Sequence, residues 1–330
     1  MSALSGMPPL DAYRKIVDHA LPGCFEGIRP DALRDATRWY PDAGGKRLRP
    51  VMALLACEAA GGAADDALPV ALAVELVHNF SLVHDDIMDR DATRRGRATV
   101  HTKWDEPMAI LAGDVLFARA FEVLARIPEP AAHQEAAALL SRAIRQLCEG
   151  QAMDVAFEKR DDVTVPEYLD MIRGKTAVLF AAACHGGALA APRRARAHVD
   201  ALDRFGEALG MAFQVADDLL DVTGESATLG KPWGSDVRAG KRTVLVLEAR
   251  ARASPAQRKV IDAALGNARA SDEDVKRAVD AMRACGALAA AEALRDAYAR
   301  AAAEALEDLP DTPAKRSLLA LNEWARTRGY

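Results

Sequence analysis

The chain reads as an all-α protein, a single helical domain over residues 1–330. Three observations carry that reading. Apolar residues recur nearly everywhere at the three- and four-residue spacing of a helix, and strand-like alternation bounded by turn signals recurs nowhere. Hydrophobic residues make up 50% of the chain but aromatics only 5%, with Ala and Leu abundant, which is the composition of helix packed on helix. The breaks fall at Pro, Gly and Asp clusters, and none is a low-complexity linker that would separate two domains.

In chain order the spacing predicts helices over 8–20, 31–40, 46–61, 67–90, 105–126, 131–158, 166–190, 197–222, 238–251, 255–266, 271–284, 286–307 and 312–327. Pro22-Gly23 closes the first of these, Pro41 to Gly45 the second and Gly61-Gly62 the third. Later breaks fall at Arg94 to Gly96, Pro128 to Pro130, Pro192 and the polar stretch Thr223 to Gly240. Leu68 to Val83 is the most membrane-like stretch, but Glu75, His78 and Asn79 interrupt it and Asp85 follows, so a buried core helix is expected. The last 76 residues, 255–330, form Ala-rich amphipathic helices to which no chemistry is assigned.

The formal charge of −5, with basic residues in small clusters, argues against a nucleic-acid partner. Five scattered cysteines (Cys24, Cys57, Cys148, Cys184 and Cys285), odd in number, suggest free thiols in a reducing compartment, hence the cytoplasm. Met1 to Leu10 has no basic region followed by an apolar one, so no secretory signal is expected.

Chemistry concentrates in two D-D-x-x-D stretches, Asp85-Asp86-Ile87-Met88-Asp89 and Asp217-Asp218-Leu219-Leu220-Asp221. Positions i and i+4 share a helix face, so Asp85 projects with Asp89 and Asp217 with Asp221, while Asp86 and Asp218 sit about 100° round. Carboxylates this close repel one another, and a hard divalent cation is the natural counter-charge. Mg²⁺ fits, because one or two carboxylates plus substrate phosphates typically hold it. Zinc would need clustered Cys or His, and a calcium EF-hand its twelve-residue loop with a central Gly; neither is present.

Cations for an anionic ligand lie near both motifs. Gly44-Gly45-Lys46-Arg47-Leu48-Arg49-Pro50 stands at the mouth of a helix, where backbone amides point outward. Arg94-Arg95-Gly96 follows Asp89 by one short turn, and Arg suits bidentate phosphate contact. Gly174-Lys175-Thr176 interrupts an apolar helix, and the Gly-rich stretch from Thr223 carries Lys231, Asp236 and Lys241, in the manner of an active-site lid.

Together with Phe213-Gln214, this set resembles the trans-isoprenyl diphosphate synthases, the polyprenyl synthetase family, in order and spacing from about residue 40 to 250. The resemblance implies an isoprenoid-synthase-like helical bundle around a deep central cavity, a homodimer, no membrane span, and Mg²⁺ as cofactor, three ions with substrate bound. It implies that Asp85 and Asp89, supported by Asp86, and Asp217 with Asp218 and Asp221 are the two aspartate-rich motifs, with Asp85, Asp89 and Asp217 as metal ligands. Arg94, Lys175, Thr176, Gln214, Lys231 and Lys241 match positions that serve the allylic diphosphate. Lys46, Arg49, His78 and Arg95 match positions that hold isopentenyl diphosphate. Two departures are visible: Ala98 stands where the family usually has Pro after Arg97, and Trp233 is unusual in its loop.

The implied reaction is head-to-tail condensation through an allylic cation. The cation is stabilised by Gln214, the Thr176 hydroxyl and carbonyls freed by a helix break near Lys175. His84 is then a structural neighbour, and for His78 a satisfied core histidine competes with the ligand role. Ser81 lies one turn, about 6 Å, below Asp85 on the same face and is small enough to let a chain pass. Phe80 resembles the floor of short-chain enzymes, and the first motif lacks the two-residue insertion of bacterial farnesyl-type enzymes. The combination resembles a geranylgeranyl diphosphate synthase; farnesyl or longer products, a class I terpene cyclase and a non-catalytic subunit of a heteromeric synthase are the alternatives.

Overall fold

The computed structural model describes residues 8–192, 194–224 and 233–327, and these are overwhelmingly helical. The early helices are α1 (Pro8–Ala20), α2 (Asp31–Arg38), α3 (Leu48–Ala59), α4 (Leu68–Asp89), the short α5 (Val100–Lys103) and α6 (Glu106–Leu124). Then come α7 (Pro130–Phe157), α8 (Val165–Ile172), α9 (Val178–Ala190) and α10 (Arg196–Thr223). The remaining helices are Ser235–Ala239, Val244–Arg252, Pro255–Ala264, Asp272–Ala284, Ala287–Ala305 and Pro313–Thr327. The all-α expectation holds, and most predicted boundaries fall within two residues of those observed.

Two local expectations need correction. The segment after α4 is a small hairpin, β1 (Thr93–Arg94) paired antiparallel with β2 (Arg97–Ala98). Its two-residue turn, Arg95-Gly96, has φ of +53° and +73°, the type I′ geometry that matches strand twist. Four residues are too few to show a period, so only the Arg-Gly turn could have signalled it. The single helix expected over 238–251 is instead two, because Gly240 adopts φ +72° and ends the first while extended Thr243 starts the second.

The chain forms two compact units, Met1–Ile144 with Leu179–Asp203 and Asp308–Leu318, and Arg145–Val178 with Arg204–Glu307 and Leu319–Tyr330. In the first, α4 packs chiefly on α6 and α3. The α4–α6 approach is close enough that a Cβ on Gly113 would lie 2.2 Å from His84 Nε2. Val70 to Val77 are all buried, and the one charge among them is paired: Glu75 accepts a 2.6 Å hydrogen bond from Arg47 Nη1. Asn79, one turn on, donates to the Glu75 carbonyl at 2.8 Å and to its carboxylate at 3.2 Å. These partners explain why polar residues sit in the apolar stretch. Ala64–Asp89 is long and apolar enough to cross a membrane, and 61% of its most apolar window is buried inside the protein.

In the second unit the core gathers Tyr168, Ile172, Met211, Val215, Leu219 and Val244 among others. Thr164 caps α8 through a reciprocal box with Glu167. After α8 the helix widens into a π-turn, Arg173–Ala177, before continuing as α9. Such turns free backbone groups from the regular ladder and cluster at functional sites. Small residues hold it on two sides, since a Cβ on Gly150 of α7 would lie 2.2 Å from Lys175 N and one on Gly210 of α10 would lie 2.5 Å from Ala177 Cα.

Candidate active site

In the first unit the end of α4 sorts its three aspartates as helix geometry demands. Asp85 and Asp89 are partly exposed, whereas Asp86 is fully buried. Two groups from other elements hold Asp86. The Tyr40 hydroxyl donates to Oδ2, and Arg94 Nε of the hairpin donates to Oδ1 at 2.6 Å. Burial pushes the Asp86 carboxyl upward while Arg94 and Tyr40 oppose it. Arg94 is a strongly held cation: burial works against its charge, and Asp86 more than restores it. Its Nη2 lies 3.9 Å from both Asp85 and Asp91.

The hairpin itself is anchored. Trp39 Nε1 donates to the Ala98 carbonyl at 2.8 Å, at the position where the sequence departs from family habit. Arg97 and Lys103 lie 3.7 and 3.3 Å from the Trp39 ring centre, too close to share one face, so they sandwich it. Arg95 Nη1 reaches across to the Gly44 carbonyl at 2.6 Å, and Gly45 leaves room for it, since a Cβ there would lie 3.0 Å from that nitrogen.

The glycine loop leads to exposed Lys46 and then to Arg47, which has φ +50°. Arg47 is not aimed at a ligand. Its guanidinium is buried and binds Asp18 at 2.9 Å, Glu75 at 2.6 Å and the Pro41 carbonyl at 2.6 Å, locking the left-handed turn that presents its neighbours. Arg49 lies over the Phe180 ring at 4.3 Å and reaches His78 Nε2 at 3.5 Å. Because guanidinium only donates, His78 Nε2 accepts and its proton rests on Nδ1. Desolvation, then Arg49, Arg95, Arg94 and Arg47, hold His78 well below its ordinary pKa, so it is neutral. Burial first, then Arg47 and Arg94, also lower the pKa of Arg95. This pocket of positive potential suits an anion.

In the second unit α10 carries Gln214, Asp217, Asp218 and Asp221, and again the middle aspartate is buried. Tyr168 OH donates to Asp218 Oδ2 at 2.6 Å, and Gln214 Nε2 donates to Oδ1 at 3.0 Å. Thr176 of the π-turn donates to Gln214 Oε1 at 2.8 Å. Burial, with the charges of Asp236 and Asp217, pushes Asp218 up to about 7 against those hydrogen bonds. Lys175 Nζ meets Asp154 at 2.5 Å.

The second motif is not a copy of the first. Asp217 is partly exposed, but Asp221 is buried and accepts from Ser235 Oγ at 2.8 Å and from the Asp236 amide at 3.1 Å. It thereby holds the start of helix Ser235–Ala239. Lys241 is half-buried, and its amide donates to the Asp236 carbonyl at 3.0 Å. Lys231 lies outside the described residues.

With the surroundings of both acid motifs described, comparison with known proteins decides the family. A model of the polyprenyl synthetase family matches residues 30–282. The chain belongs to that family. It is a prenyltransferase, as the motif resemblance implied. It is 42% identical to a short chain isoprenyl diphosphate synthase of Methanothermobacter thermautotrophicus, over 98% of this chain and 99% of that protein. It is 42% identical to a geranylgeranyl diphosphate synthase of Methanosarcina mazei over 95% of each. The crystal structure of geranylgeranyl pyrophosphate synthetase from Pyrococcus horikoshii superposes with a TM-score of 0.92 at 39% identity, covering 98% of both chains.

Among the described residues no three His, Cys, Asp or Glu side chains gather into a ready-made metal cage. The donor set still fits Mg²⁺, which needs only one or two carboxylates with substrate oxygens, and Asp85 and Asp89 offer hard oxygen donors on one face. Several residues around the two acid motifs escaped the motif reading: Tyr40, Tyr168, Asp154, Glu75, Trp39 and Ser235.

Proposed function

We propose that this prenyltransferase condenses isopentenyl diphosphate head-to-tail with an allylic diphosphate, depends on Mg²⁺, and makes geranylgeranyl diphosphate. The observation that carries the condensation reading is the second cation set. Arg49, Arg95 and neutral His78, beside the Gly44-Gly45 loop and Lys46, form a place for an anion that does not rest on the acid motif. A terpene cyclase, with one diphosphate to bind, has no use for it. Intact acid motifs speak against a non-catalytic subunit. The geranylgeranyl names of full-length relatives support the product.

Asp85, Asp89 and Asp217 are the residues to hold Mg²⁺, whose chemistry here is to neutralise charge on the departing diphosphate. Arg94, Lys175, Lys231 and Lys241 share that task. Gln214, fixed by Asp218, offers Oε1 on the side of the Thr176 hydroxyl, and the π-turn offers loosened carbonyls. These are negative dipoles with no nucleophile among them, which is what an allylic cation requires. Isopentenyl diphosphate, held by Lys46, Arg49, His78 and Arg95, adds through its double bond and loses a proton to the released pyrophosphate.

Product length follows from α4. Ser81 ties its hydroxyl to the His78 carbonyl at 2.8 Å and so presents an apolar edge. Phe80 is buried edge-on to His84 at 4.9 Å and packed on Phe117 at 5.8 Å, a floor braced by α6. The exposed Ile110, Leu111 and Phe117 of α6 are the side chains a second copy would cover in a homodimer.

The test incubates purified protein with Mg²⁺, isopentenyl diphosphate and, in separate reactions, five-, ten- and fifteen-carbon allylic diphosphates. A twenty-carbon main product is expected. A fifteen-carbon or much longer product keeps the reaction and removes Phe80 as floor. Pyrophosphate release with a cyclic hydrocarbon and no elongation overturns the condensation reading.

A further inference from the structure

We infer that Tyr40 and Tyr168 are positioning residues, one for each acid motif, each acting through the motif's middle aspartate on a substrate-facing group. The inference rests on the condensation reading for what those groups face, and on geometry for everything else.

The surroundings of the two acid motifs are built alike. In each, a tyrosine buried to 3% exposure or less brings its hydroxyl from a separate part of the chain to Oδ2 of the middle aspartate, Tyr40 to Asp86 and Tyr168 to Asp218. In each, the other carboxylate oxygen takes a donor from a residue of the proposed substrate site: Arg94 Nε at 2.6 Å and Gln214 Nε2 at 3.0 Å. Neither arrangement is dictated by the motif, because the tyrosines lie 46 and 50 residues from their aspartates.

The tyrosine decides how the second donor is held. A carboxylate with both oxygens open to a guanidinium takes it side-on, with two parallel hydrogen bonds. With Oδ2 engaged by Tyr40, the Asp86 carboxylate is held so that Arg94 meets Oδ1 through Nε rather than side-on. The Nη edge is thereby left turned toward Asp85, 3.9 Å away, where a diphosphate would need it. In the second unit the same restriction fixes the Gln214 amide with its nitrogen on Asp218 and its oxygen on the side of Thr176. Without Tyr168 the carboxylate can turn, and the amide loses its fixed reference.

Tyrosine-to-phenylalanine variants keep the ring packing and remove only the hydroxyl. Tyr40→Phe should lower kcat/KM for the allylic diphosphate about tenfold, the scale of one misaligned charge-assisted hydrogen bond, through both a raised KM and a lowered kcat, with KM for isopentenyl diphosphate little changed. Tyr168→Phe should lower kcat by about ten- to a hundredfold at nearly constant KM, since it disturbs groups that face the cation. Each effect should vanish in the background of the group it acts through, Tyr40→Phe in Arg94→Ala and Tyr168→Phe in Gln214→Ala. Asp86→Ala and Asp218→Ala give a second route to the same answer if a phenylalanine variant does not fold: they remove both acceptor oxygens through which each tyrosine acts.

Wild-type enzyme in the same assay reports the condensation reaction by itself, so its failure is distinguishable from failure of this inference. Wild-type kinetics in both phenylalanine variants, or effects that remain additive with Arg94→Ala and Gln214→Ala, would overturn the positioning role and leave the tyrosines as packing residues.

Discussion

Gly150→Ala is the sharpest test of how the π-turn beside the second acid motif is held. The added methyl would sit 2.2 Å from Lys175 N, 2.7 Å from Gly174 C and 2.9 Å from Lys175 Cα, all backbone, with no flexible side chain to yield. Ordinary contact begins at 3.4 Å, so α7 and the π-turn must separate by about 1.2 Å at that point. Overpacking of this kind costs about 1–3 kcal/mol of stability. The functional cost should be larger, because the turn carries Lys175 and Thr176, and a displacement of 1 Å can cost about 10²-fold in rate. Gly210→Ala pushes on the same turn through Ala177 Cα, at 2.5 Å, and should give a smaller loss of the same kind. Gly23→Ala, with nothing within 4 Å of the new methyl, is the control. The assay is kcat per folded molecule, with folded protein measured by circular dichroism and thermal melting. A Gly150→Ala enzyme that melts lower yet keeps wild-type kcat would refute the idea that this contact sets the turn.

Three further perturbations read other parts of the molecule. Phe80→Ala removes the ring braced by Phe117 and should shift the main product to a longer chain, seen by product chromatography. An unchanged product would reject Phe80 as floor. Glu75→Gln keeps an acceptor for Arg47, which retains Asp18 and the Pro41 carbonyl. The loss should therefore be about 2 kcal/mol, a melting decrease of roughly 3 °C, with a raised KM for isopentenyl diphosphate as the Lys46–Arg49 turn loosens. An unaltered melt and KM would show the pair to be idle. His78, held neutral below its usual 6.5, refuses a proton that the unfolded chain accepts, so its contribution to stability is present above pH 6.5 and falls as pH drops. The stability difference between wild type and His78→Asn should therefore shrink below pH 6.5 by up to about 1.4 kcal/mol per pH unit, and a difference that stays flat down to pH 5 would contradict it.

Much of this molecule was legible because helices write a period into the chain. The apolar spacing of residues 68–83 and the Pro and Gly breaks between helices are local signals, and local signals survive without a structure. The acid motifs were legible for the same reason, since i and i+4 share a face whatever the tertiary context. What could not be read is non-local pairing. Nothing near Asp86 announces Tyr40, and nothing near Lys175 announces Asp154 across 21 residues. Arg47 is the instructive case. Its neighbours Lys46 and Arg49 were separable from it only by family resemblance, whereas the structure shows its charge consumed by Asp18 and Glu75. A basic cluster in a sequence does not say which of its members face outward.

The two D-D-x-x-D stretches, equivalent as text, diverge most at their last residue, and this yields a final prediction. Asp89 stays partly exposed beside Asp85, but Asp221 is turned in, with one oxygen on Ser235 Oγ and the other on the Asp236 amide. Asparagine can keep both of these hydrogen bonds. Its oxygen accepts from the amide, and its NH₂ donates to the Ser235 hydroxyl, which rotates from donor to acceptor. On the proposed metal role, Asp217→Asn has no such escape, since an amide oxygen is a far weaker Mg²⁺ ligand than a carboxylate. Steady-state assays across a Mg²⁺ titration should therefore show Asp217→Asn needing much more metal and losing about 10²-fold or more in kcat, with Asp221→Asn at least tenfold less impaired. Equal losses with equal shifts in metal requirement would mean that Asp221 reaches the metal after all, and that the helix starting at Ser235 is released from it during turnover.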